Sequence, residues 1–62
     1  MNEAQARDIF KLKDSDPIYK DGLLSLQQSI LKQLSVWSIT PTDKKELEAQ
    51  LNAIDCLMEV AI

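Results

Sequence analysis

The sequence predicts an all-α protein: a short N-terminal helix and an antiparallel helical hairpin that assembles into a helical bundle. Three observations carry this. Two segments repeat apolar residues at steps of three and four, the helical period. Proline marks two helix starts, Asp16-Pro17 and Thr40-Pro41. No stretch alternates apolar and polar residues as a half-buried strand does.

The first element is a helix over residues 2–12. Asn2 caps it and Glu3 suits its first turn. Ala6, Ile9 and Phe10 give it a narrow apolar face. Asp14-Ser15-Asp16-Pro17 breaks the pattern, and Asp16 before Pro17 reads as a new N-cap. The second helix spans residues 17–37. Tyr19, Leu23, Leu26, Ile30, Leu34 and Trp37 share one side, widened by Leu24 and Leu31 to roughly 160°. That is broader than a two-stranded seam and suits a bundle with more than one neighbour. Gly22 costs this helix roughly 1 kcal/mol relative to alanine. Gln27 lies near the middle of the stripe, either fixing register or reaching water from the rim. Gln50, at the edge of the next stripe, poses the same choice.

Ser38-Ile39-Thr40 makes the turn. Thr40 as N-cap, Pro41 at N1 and Asp43 at N3 resemble a capping box with Asp replacing Glu. The third helix spans residues 41–60. Its seam is Leu47, Leu51, Ile54 and Met58, continuing to Ala61, and it matches Leu23, Leu26, Ile30 and Leu34 of the second helix. The short link implies antiparallel neighbours.

Composition narrows the function classes. The 62 residues form one domain, residues 1–62, marginal as a lone monomer. One cysteine, Cys56, rules out an internal disulfide, and without histidine it has no base to activate it. No cofactor, metal or catalytic set is expected, so the chain reads as a non-enzyme. Asp14 and Asp16 serve the turn. Net charge is −3 with scattered lysines, which disfavours direct nucleic-acid binding. No apolar run is long enough for a membrane span, and no export signal is visible, so a reducing cytoplasm is expected rather than secretion.

Stability then calls for self-association or docking on a larger protein. Leu24, Leu31, Leu57 and Ile62 are left needing cover. The first segment is apolar beyond what a solvated tail needs, and either folds over the hairpin or docks elsewhere. By subtraction, Ile9, Phe10, Leu12, Tyr19 and Trp37 are assigned to a larger partner.

Asp16-Pro17-Ile18-Tyr19, a leucine-rich helix, a short turn and the run Leu47 to Met58 together resemble a loose class of small proteins of tailed bacteriophages. The likeness covers about residues 16–60. That class carries a Gly-Arg pair where this chain has Gln50-Leu51-Asn52-Ala53-Ile54. The resemblance implies a phage virion or assembly accessory protein, in the host cytoplasm or the particle, and carries over no functional residue. The alternative is a small acidic regulator or inhibitor of a host or phage enzyme. Size and layout are also similar to the plasmid copy-control RNA-binding proteins that form dimeric four-helix bundles, without their basic, aromatic face.

Overall fold

A computed structural model describes residues 1–62. The chain is all-α, with α1 (Glu3–Ile9), α2 (Lys20–Leu34) and α3 (Pro41–Met58). α3 is the centre. α1 and α2 each pack on it and not on each other. The core is Ala6, Ile18, Leu23, Ile30, Leu47, Ala53, Ile54 and Leu57. Ile9, Phe10, Leu12, Leu34, Leu51 and Met58 lie half-buried against it.

Helix α1 begins as its sequence suggests. The Gln5 amide donates to Asn2 Oδ1 at 2.8 Å, and the Asn2 amide donates back to Gln5 Oε1 at 3.1 Å. It stops at Ile9 rather than residue 12. Lys11 turns left-handed (φ 56°), the Lys11 amide bonds Asp8 O, and the Leu12 amide bonds Arg7 O. These are the two bonds of a Schellman ending, with lysine where glycine is usual.

The start of α2 departs further from expectation, at Lys20 instead of residue 17. Asp16 does not cap it. Its carboxylate turns back to accept from the Lys13 amide at 2.9 Å. Pro17, Ile18 and Tyr19 precede the helix, with Ile18 buried. The Ile62 amide bonds Ile18 O, and the Lys20 amide bonds Ile62 O, so residue 62 closes against the start of α2. Tyr19 is the N-cap residue, without a side-chain cap. α2 ends at Leu34 rather than 37. Ser35 Oγ donates to Lys32 O at 2.7 Å, a local bond that competes with continuing the helix.

Before α3, Thr40 Oγ1 accepts from the Asp43 amide at 3.2 Å, and Pro41 occupies the first helical position. Only this half of the capping box forms, and Asp43 is one methylene shorter than the usual Glu. α3 ends at Met58 rather than 60. Its buried arc also differs from the seam read in the sequence. Ala53 and Leu57 are completely buried, while Leu51 and Met58 are only partly so. Leu57 therefore needs no cover from another molecule. α1 packs on α3 alone, and its own fully buried residue is the small Ala6.

Candidate interaction surfaces

An open groove of about 410 Å³ lies between residues 10–18 and the first turns of α2. Phe10, Leu12, Pro17, Ile18, Leu23 and Leu26 make it apolar, with Tyr19 and Gly22 completing the lining. Three local devices build it. The left-handed turn at Lys11 reverses the chain, so that Phe10 and Leu12 face back over the core. Arg7 then holds the far side of the turn: Nη1 donates to Lys13 O at 2.8 Å and to Asp16 O at 3.0 Å. Gly22 leaves the α2 wall low, and a Cβ there would meet nothing within 4 Å.

Arg7 is itself buried. Its Nε lies 3.8 Å from Glu3 Oε2, the chain's single ion pair, and makes no hydrogen bond. In the sequence Arg7 looks like one more scattered cation. No local pattern distinguishes an arginine that will cap carbonyls six and nine residues away.

The residues assigned to a partner are thus only partly assembled. Phe10, Leu12 and Tyr19 share the groove. Ile9 packs half-buried against the core outside it. Trp37 lies in the α2–α3 link, away from the groove and 95% exposed. Of the eight residues assigned to the seam, Leu23, Ile30, Leu47 and Ile54 are buried, and Leu34, Leu51 and Met58 half-buried. Leu26 is exposed and lines the groove. Pro17, Ile18, Gly22 and Leu23 were not anticipated as lining. The signal available was the apolar run from Pro17 to Tyr19.

A second apolar feature runs along α2. Leu24 and Leu31 are 45% and 50% exposed. They are seven residues apart, hence within about 20° of each other around the helix, and about 100° from the buried Leu23 and Ile30. Gln27 and Gln28 lie between them, Gln27 half-buried and Gln28 exposed.

The opposite character appears on α3. Asn52, Asp55, Cys56 and Glu59 meet Met1 around a polar hollow of about 540 Å³. The Cys56 thiol donates to Met1 O at 3.5 Å, tying α3 to the residues before α1. No group of three cysteine, aspartate or glutamate side chains is placed to hold a metal ion. No helix is long and apolar enough to cross a membrane.

Comparison with protein-family models, curated proteins and solved structures found no match.

Proposed function

We propose that this chain is a non-enzymatic interaction module whose groove receives an apolar segment of a larger protein. The single observation carrying this reading is the assembly of Phe10, Leu12, Ile18, Tyr19, Leu23 and Leu26 into one open apolar concavity. A concave apolar surface is the usual form of a peptide or helix receptor. Tyr19 and Leu26 remain exposed in it.

The working environment we propose is the one implied by the bacteriophage resemblance, a particle or its assembly. A photo-crosslinking residue at Leu26 tests the groove, with one at Glu48 on the exposed face of α3 as control. Capture of one protein at Leu26, absent at Glu48 and lost on Tyr19→Ser, supports the reading. Equal capture at both positions, or capture insensitive to Tyr19→Ser, overturns it. Identification of the captured protein and the copy number of this chain in purified particles then separate a structural component from a regulator. A structural component sits at fixed stoichiometry in particles, whereas a regulator is found on one enzyme and missing from them.

A further inference from the structure

We infer that the Leu24–Leu31 face of α2 is covered by the same face of a second copy, packed antiparallel about a two-fold axis at Gln27 and Gln28. This names a partner for the interaction module proposed above, on a different side of α2 from its groove.

The chain exposes 4679 Å², more than the about 4,000 Å² expected of a monomer of 7.0 kDa, and the half-exposed Leu24 and Leu31 are part of that surface.

Register argues for the antiparallel arrangement. Leu24 and Leu31 are placed symmetrically about the Gln27–Gln28 peptide bond. Antiparallel pairing therefore sets each Leu24 against the second copy's Leu31, while the glutamines meet their counterparts at the axis.

Charge agrees. Asp21 and Lys32 lie on the same flank of the leucine stripe, at opposite ends of α2, and neither is in an ion pair. In antiparallel helices, same-flank residues face each other, so Asp21 meets Lys32 twice. In a two-fold parallel pair the same-flank residues of the two copies lie on opposite sides of the interface, and this pairing is lost.

Sedimentation equilibrium and cysteine crosslinking test this. The native chain is expected to dimerise at micromolar concentration. Leu24→Glu with Leu31→Glu should weaken dimerisation about 100-fold or more, with the helical circular dichroism retained because both residues are half-exposed. In a Cys56→Ser background, a mixture of Leu24→Cys and Leu31→Cys chains should oxidise to a covalent dimer. Leu24→Cys chains alone should not. A native monomer at 100 µM or above, a dimer indifferent to the double substitution, or crosslinking of Leu24→Cys chains alone would each overturn the inference. The groove experiment reads a different surface, so either proposal can fail without the other.

Discussion

Two residues near the end of α1 do more than their types suggest. Lys11 adopts a left-handed conformation that costs an L-residue roughly 1 kcal/mol and glycine almost nothing. Lys11→Gly is therefore expected to stabilise the chain by about 0.5–1 kcal/mol, read as a higher urea midpoint at unchanged slope. Arg7 works in the other direction. Its guanidinium satisfies two carbonyls of the 13–16 turn from a buried position. Arg7→Met keeps the stem's packing but orphans both carbonyls, and should cost about 1.5–3 kcal/mol. A loss below about 0.5 kcal/mol in the same titration would show that water replaces the guanidinium. The sequence announced Asn2 and Thr40 because a cap is a local event, completed within three residues. It was silent on Arg7 because that role is defined by carbonyls the chain brings back only after reversing at Lys11.

At the scale of elements, the starts of α1 and α3 were legible and the start of α2 was not. Asp16-Pro17 has the local form of a cap and first turn. In the fold, Asp16 is already engaged by Lys13, and Ile18 is drawn into the core and paired with Ile62. A competing local bond at Asp16 and tertiary contacts at Ile18 outweighed a cap preference worth about 1 kcal/mol. The Thr40 cap offers the complementary test. Thr40→Ala should cost about 1 kcal/mol and fray the first turn of α3, visible as a lower thermal midpoint with little change in helix content. Gly22 sits inside α2 with open space where its side chain would be. Gly22→Ala should stabilise α2 by about 0.5–1 kcal/mol and at the same time raise the groove wall. A more stable protein that binds its partner less well is the expected result. Equal loss of both would mean that the glycine serves the fold instead.

For the whole molecule, the periodic pattern led to the right fold class but not to the role of α3. A seam drawn through Leu47, Leu51, Ile54 and Met58 describes one side of a helix that is packed on two. Ala53 and Leu57 complete the other side, and alanine is easily overlooked when large residues are counted. Ala53→Leu should overpack the core around a fully buried position, costing about 1–3 kcal/mol. Chemical denaturation measures the loss, and release of the Cys56 thiol to a labelling reagent reports whether α1 has moved. Because Arg7 belongs to α1 while the carbonyls it holds belong to the turn leading to the groove, helix and groove are expected to open as one cooperative unit. Linkage then runs both ways. A ligand in the groove should slow amide hydrogen exchange throughout α1, which it never touches. Arg7→Met should lower groove affinity without altering a single residue that lines it. Exchange in α1 unchanged by saturating ligand would show that the two parts open separately.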